Sequence, residues 1–299
     1  MTHRLTLISL FWMVASIAYC HENRFGLGLR GGVNTLLYRA QTGGSMPREH
    51  IGLDLEYAFL SDAYVGFRLG LAADYSASQF RAVPYADQYR CIDVENDEMD
   101  VAYTMSRLTE DHLQLYASLP VQLAFAYEQW TLFVGPKFML PLYMHRQTRA
   151  YNVDLQCTYP IYESTVDDAL ALRAGVVSLH QSASRETLHP RLWYALSIET
   201  GWDIYRATRR RTPFGVTLSL FADIGLNAYD VPKTANLSLI TLTDTRDGIP
   251  VNRVMESVLR TNQGSAALVR QYRYFTCGIK ATVFLTNGIR KKGCKICFL

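Results

Sequence analysis

The sequence lacks the long apolar runs that membrane-spanning helices require. After the first 20 residues no stretch of about 20 apolar residues occurs, and the mean hydropathy is −0.02, which excludes a bundle of transmembrane helices. An excess of one charge sign is also missing. The 30 Lys and Arg residues nearly balance the 27 Asp and Glu residues, for a net charge of +3, which argues against a strongly basic nucleic-acid binder. Of the 299 residues, 49% are hydrophobic, enough for a folded chain.

The N-terminal segment has the three-part layout of a secretory signal peptide. Arg4 precedes an apolar stretch, Leu5–Ala18, whose last residues include small Ser16 and Ala18. We predict a signal peptide over residues 1–20, with cleavage after Ala18 or after Cys20. A buried N-terminal helix and lipidation of Cys20 are the alternatives. The chain is therefore expected to leave the cytoplasm.

Apolar residues in the rest of the chain recur with a period of two. Every odd position from Leu113 to Tyr127 is apolar, and so is every even position from Phe214 to Ala228, while polar residues lie between them. This alternation predicts β-strands, in which successive side chains point to opposite faces. The same pattern marks eight segments, at residues 25–37, 51–59, 65–75, 113–127, 130–144, 192–204, 214–228 and 275–285.

The strands and their connections together indicate a transmembrane barrel. The strands are long enough to cross a bilayer when tilted. Short connections at residues 61–63, 128–129 and 206–213 alternate with long ones at 39–49, 81–111, 147–190 and 230–269, as in outer-membrane barrels. We predict an all-β fold: an eight-stranded antiparallel up-and-down transmembrane β-barrel over residues 21–286, with four long extracellular loops. Residues 287–299 are predicted to be a basic periplasmic tail.

The polar faces of these strands carry charged residues of both signs. In an eight-stranded barrel they point into a lumen narrow enough for side chains to fill, where they must pair because an unpaired buried charge is costly. We therefore predict a closed, charge-paired lumen rather than a wide pore. The predicted network consists of Arg30, Arg68, Lys137, Lys280, Asp54, Glu56, Asp74, Glu199, Asp203 and Asp223.

Three segments resemble the porin-like outer-membrane β-barrel family of Bacteroides-group bacteria, which is related in architecture to OmpA/OmpX-type barrels. They are GLGLRGGVNTLLY at 26–38, LQLYASLPVQLAFAYEQWTLFVGPKF at 113–138 and LSLFADIGLN at 218–227. The resemblance implies an outer-membrane location in a Gram-negative bacterium and no defined chemistry. Some relatives assist a secretion system. No catalytic residues carry over, and the long loops of this chain depart from the family.

Cysteines, prolines and aromatic residues receive local interpretations. Cys91 and Cys157 lie in two different long loops and are a candidate disulfide. Cys294 and Cys297 form a lone CxxC in the tail, which is at most half of a zinc site. Prolines inside two strands predict bulges or earlier strand ends. Tyr and Trp at strand ends suit the two interfacial girdles of a membrane barrel. The prolines are Pro120, Pro136 and Pro141.

The expected function is that of a surface structural or binding scaffold that acts through its long loops. A narrow porin-like channel, an accessory of a secretion system, and a barrel lipid hydrolase or protease are the alternatives. We expect no enzyme activity, cofactor, metal or nucleic-acid partner. The expected partners of the monomer are outer-membrane lipid, lipopolysaccharide and an extracellular ligand at the loops. Candidate residues for the hydrolase alternative are His112, His145, His180, Ser182 and His189.

Overall fold

The computed structural model describes twelve stretches of the chain. The predicted signal peptide and basic tail lie outside them, and so do Cys20, Cys294 and Cys297. Among the described residues, no helix has the length and hydrophobicity to cross a bilayer. The stretches are 21–40, 43–61, 64–82, 84–92, 97–161, 164–167, 192–206, 214–230, 239–246, 249–255, 258 and 269–286.

The described structure consists of antiparallel strands, which confirms the predicted all-β class. The strands are β1 (His21–Ala40), β2 (Gly44–Ser61), β3 (Val65–Ala82), β4 (Tyr85–Ile92), β5 (Glu98–Tyr127), β6 (Trp130–Tyr159), β7 (Ser164–Asp167), β8 (Trp193–Arg206), β9 (Phe214–Gly225), β10 (Tyr229–Asp230), β11 (Ile240–Arg246), β12 (Ile249–Met255) and β13 (Val269–Thr286).

The larger sheet closes on itself. Among the described residues, pairing passes through β1, β2, β3, β5, β6, β8, β9 and β13, and β13 then pairs with β1. Each strand of this closed ring is antiparallel to the next. One end, the short-turn end, carries the two-residue turn Glu128–Gln129, where Glu128 has a φ of 51°. At the opposite, extended end, β5 and β6 continue beyond the ring and pair with β4 and β7.

The two faces of the ring differ sharply in polarity. In β9 the side chains of Leu218, Leu220 and Ile224 are exposed on the outer face, whereas Thr217 and Asp223 are buried on the inner face. The same alternation runs along β2 and β3. A strand with period-two polarity can place its charged side chains inside only when the sheet curls around them.

The predicted long connections contain more strand than loop. Residues 44–49, expected in the first loop, belong to β2, with an irregular register between Pro47 and His50. The second and third predicted loops contain β4, β7 and the outer parts of β5 and β6. The fourth contains β11 and β12 and begins at the second residue of β10. The odd positions from Met99 to Met105 and from Tyr151 to Tyr159 are apolar, so the period-two alternation of β5 and β6 does extend into these parts.

The prolines are accommodated in two ways. At Pro141 a bulge forms: Leu115 pairs with Tyr143 and Tyr116 with Pro141, so Leu142 is the extra residue. Beyond this bulge the inward-facing positions of β6 change from odd to even. At Pro120 the strands keep their register, but neighbouring residue pairs drop out of the ladders to β3 and β6. Both responses fit a residue that lacks an N–H donor.

Glycines allow β1 and β13 to approach closely where the ring closes. Gly32 pairs with Gly278, and a Cβ on Gly278 would overlap the carbonyl oxygen of Gly31. A Cβ on Gly31, by contrast, would meet no atom within 4 Å. There is therefore room for a methyl group at Gly31 but not at Gly278.

We predict that Gly278→Ala destabilises the folded chain by about 1–3 kcal/mol through overpacking at this seam, whereas Gly31→Ala leaves its stability unchanged. Urea unfolding in detergent micelles, followed by tryptophan fluorescence, measures both. Equal unfolding midpoints for the two variants would contradict the close approach of β1 and β13.

Candidate functional site: a closed charged interior

Nine of the ten residues of the predicted network lie in one connected set of ion pairs inside the ring. They come from β1, β2, β3, β6, β8, β9 and β13, whose inward positions converge because the ring is narrow. Most of these side chains are almost completely buried, and Glu56 is the least so, at 14% exposure. The nine residues are Arg30, Asp54, Glu56, Arg68, Asp74, Lys137, Glu199, Asp223 and Lys280.

Two cations and two carboxylates form the part of the network nearer the short-turn end. Glu199 Oε2 lies 2.5 Å from Arg68 Nη2 and 3.3 Å from Lys280 Nζ. Glu56 Oε2 lies 2.5 Å from Lys280 Nζ and 3.3 Å from Arg68 Nη1. Gln122 also accepts a hydrogen bond from Arg68. Each buried charge thus has at least two partners of opposite sign, the condition under which such charges are tolerated.

Lys137 is the centre of the part nearer the extended end. Its Nζ lies 3.0 Å from Asp74 Oδ2 and 2.8 Å from Asp223 Oδ2, and all three side chains are fully buried. Arg30 binds Asp54 and lies within 3.7 Å of both Asp74 and Asp223. Lys280 also lies 3.2 Å from Asp54, which joins the two parts.

Asp203, the tenth predicted residue, lies in a separate group at the short-turn end. Arg24 donates hydrogen bonds to both Asp203 oxygens, at 3.2 and 2.9 Å, and its Nε donates to Glu22 at 2.9 Å. Sequence reasoning missed Glu22 and Arg24 because the first strand was begun at Phe25. Both have the same even parity as Arg30, so extending the alternation backwards would have found them.

Inward-facing phenylalanines fill the space around the arginines. Arg68 Cζ lies 3.8 Å from the centre of the Phe133 ring, and Arg24 Cζ lies 4.4 Å from that of Phe284. Cation–π contacts of this kind are stronger away from water. A cavity of about 10 Å³ remains beside Arg68 and Lys280, which is near the lower limit for a single water molecule.

An aromatic layer lies above the network, toward the extended end. Tyr116 and Tyr274 meet edge to face with their ring centres 5.9 Å apart, and Trp193 packs against Tyr274. Leu36, Met139 and Ala195 complete this buried cluster. The interior is thus filled at two successive levels by different chemistry, first by ion pairs and then by aromatic packing.

The extended end has an apolar core of its own, which we call the outer apolar cluster. Here the buried positions of β5 are mainly apolar instead of charged. Burial and Asp87 raise the pKa of Tyr85, which lies in this cluster. Its buried members are Phe80, Ala82, Tyr85, Met99, Val101, Tyr103, Met105, Leu108, Ala150, Cys157, Tyr159, Leu239, Val258 and Val269.

A Ser–His–Asp arrangement within the ring invites comparison with a hydrolase. His50 Nδ1 lies 2.8 Å from Ser76 Oγ, and His50 Nε2 lies 3.7 Å from Asp74 Oδ1. All three side chains are at most 1% exposed, and Asp74 is engaged by Lys137 and Ser118. A nucleophile needs access to its substrate, and this geometry leaves Ser76 without it.

The two described residues named for the hydrolase alternative, His112 and His145, have separate surroundings. His112 is buried next to Glu110, and His145 stacks on Tyr143 with ring centres 6.4 Å apart. His180, Ser182 and His189 lie outside the described residues. Among the described residues, no three His, Cys, Asp or Glu side chains are grouped so that they could hold a metal ion.

The structure does not support the predicted Cys91–Cys157 disulfide. Cys91 pairs with Met99 on one side of β5, and Cys157 pairs with Val101 on the other side. Two strand spacings, roughly 10 Å, therefore separate the two residues, and a disulfide requires Cα atoms within about 7 Å. The sequence offered no way to see that β5 would lie between them.

Comparisons with known proteins add little. No protein family model and no curated protein matches the sequence. Among solved structures, the attachment invasion locus protein Ail of Yersinia pestis, crystallised with the heparin analogue sucrose octasulfate, is 8% identical, with a TM-score of 0.22 over 88% of this chain and 99% of Ail. A Pseudomonas aeruginosa FadL homologue is 7% identical, with a TM-score of 0.16 over 89% of each chain. Superpositions this loose leave function to be argued from the chain itself.

We predict that Lys137→Met destabilises the folded chain by about 3–5 kcal/mol, because it leaves Asp74 and Asp223 buried without their shared ammonium group. Arg90→Met is the matched control. Arg90 pairs with Glu98 and Asp100 on the exposed surface, where its hydrogen bonds lower the pKa of Asp100 and a pair contributes little to stability. Chemical denaturation in micelles measures the free energy of unfolding of both variants. Similar decreases would contradict a larger contribution of the buried network than of a surface ion pair.

Proposed function

We propose that the chain is an eight-stranded β-barrel of the Gram-negative outer membrane that acts at the cell surface as a structural or binding scaffold. The observation that carries this proposal is the inverted polarity of the closed ring. Side chains such as Leu27, Leu55 and Leu71 are more than 60% exposed on the outer face, while arginines, lysines and carboxylates are buried inside. Exposed leucines around a charged interior are favourable when the outer face of the ring contacts lipid.

The outer face also carries aromatic side chains at two levels. Near the short-turn end, Trp130 and Trp202 meet edge to face with ring centres 4.7 Å apart, and Tyr64 packs against Tyr127. Toward the extended end, Tyr143 and Tyr194 are exposed. Two aromatic belts around an apolar band support a membrane-spanning position.

The extended end is the part that we assign to the cell surface. The outer parts of β5 and β6, together with β4, form a sheet with a polar exposed face that includes Arg90, Glu98 and Asp100. A projecting, folded surface suits recognition of an extracellular ligand or of lipopolysaccharide better than catalysis. We propose a monomer, because the ring closes within one chain.

A filled interior separates this scaffold from the narrow-channel alternative. Ion pairs, aromatic side chains and the outer apolar cluster occupy successive levels along the described interior. A continuous water path is needed for ions to pass. The accessory role in secretion needs a membrane or periplasmic partner, and nothing in the described geometry favours it over a scaffold.

We predict that the purified, refolded chain shows no stepwise ion conductance in planar lipid bilayers, because each level of the interior is filled by side chains. A protein-free bilayer is the baseline, and insertion is verified by recovering protein from the same lipid. Reproducible current steps that change when Arg68→Ala or Lys137→Met is introduced would favour the channel instead.

A further inference from the structure

A small hairpin stands apart from the ring at its extended end. β11 and β12 pair with each other, from Ile240–Met255 to Arg246–Ile249, and among the described residues neither strand joins the larger sheet. The hairpin therefore gains none of the inter-strand hydrogen bonds that hold the ring strands in place. Its attachment depends on other contacts.

Two residues that flank the hairpin attach it to the ring. Leu239 immediately precedes β11 and Val258 follows β12, and both are fully buried in the outer apolar cluster with Met99, Met105 and Leu108. Burying an apolar side chain stabilises the attachment because it removes apolar surface from water. The chain on both sides of the hairpin is thus anchored in the apolar core at the extended end of the ring.

One buried carboxylate adds a polar contact to this attachment. The backbone N–H of Val258 donates a hydrogen bond of 2.8 Å to Glu110 Oε2, which also accepts from Thr148 Oγ1 at 2.8 Å. The other oxygen, Oε1, lies 3.0 Å from His112 Nε2. Glu110 is fully buried, and a hydrogen bond to a charged acceptor is stronger than one between neutral groups.

We propose that the β11–β12 hairpin is a cap over the extended end of the ring, and that Glu110 is the latch that holds it closed through Val258. The hydrogen bond from Thr148 of β6 holds the Glu110 carboxylate on the sheet, where the same oxygen accepts from Val258. Release of this contact uncovers the apolar side chains that Leu239 and Val258 now cover. The inference depends on contacts within the chain and is independent of the proposed membrane role.

The cap is expected to open without unfolding the ring. Elements held by few buried contacts open locally at a lower free energy than the core strands. The ring strands are held by long ladders, such as the continuous pairing of β1 with β13 from Arg24–Thr286 to Arg39–Gln271. Opening should therefore be detectable as a local event.

Hydrogen–deuterium exchange of the full-length, detergent-solubilised chain tests the latch. In Glu110→Ala we expect peptides covering residues 249–258 to exchange about tenfold faster, which corresponds to about 1.4 kcal/mol, while peptides of β1 and β13 are unchanged. Asp111→Ala is the matched control, because Asp111 is the next residue of β5 and contacts Arg48 and Gln79 instead. Unchanged exchange in Glu110→Ala, or equal acceleration in both variants, would overturn the proposal.

A second variant separates the latch from general damage to the wall. Val258→Pro removes the donated N–H and alters no residue of the ring. Val258→Ala, which shortens the buried side chain but keeps the N–H, is its control. Val258→Pro should accelerate exchange in the hairpin as Glu110→Ala does, with the ring peptides unaffected. If Glu110→Ala unfolds the whole chain, the two Val258 variants decide. Exchange at residues 239–258 that is faster in Val258→Pro than in Val258→Ala supports the latch, and equal exchange in the two contradicts it.

Discussion

Pairing of buried charges inside a closed sheet is the constraint on which the rest of this structure depends. Lys137, Asp74 and Asp223 meet at 3.0 and 2.8 Å without contact with solvent, and such charges are tolerated only with partners on several sides. The partners come from strands distant in sequence, so the network exists only when the ring is closed. Closure and charge pairing therefore support each other.

The outer face follows from the same arrangement. Because inward positions take the charged and hydroxyl side chains, the alternate positions hold leucine, phenylalanine and valine, which remain exposed. Near the aromatic layer the interior changes from ion pairs to apolar contacts, and the outer apolar cluster continues this into the part of the sheet that extends beyond the ring. Toward the short-turn end, the ring thus has charged side chains inside and apolar ones outside. The extended end has an ordinary apolar core.

Local features of the fold could be predicted from the sequence, and long-range ones could not. Period-two alternation reveals strands and faces because each side chain's direction depends only on its own strand. It places Lys137 and Asp223 on inward faces, but their contact spans 86 positions and depends on register around the ring. Extension of β5 back toward Glu98 follows the local alternation from Met99 to Met105, which the predicted strand did not include. The place of β5 between Cys91 and Cys157 depends on pairing that leaves no local pattern. Burial of Leu239 and Val258 likewise follows from tertiary packing.

Brominated lipids, which quench only fluorophores that contact acyl chains, test most directly whether the apolar face meets lipid and the polar face lies inside. Trp130 and Trp202 are exposed on the outer face, whereas Trp193 is 2% exposed within the aromatic layer. Trp12 is replaced by Phe in both variants. Folded Trp193→Phe, which then keeps only the two outer tryptophans, should lose most of its fluorescence in brominated vesicles. The Trp130→Phe/Trp202→Phe variant, which keeps Trp193, should lose little. Strong quenching of Trp193, or none of the outer pair, would contradict a lipid-embedded ring with a closed charged interior.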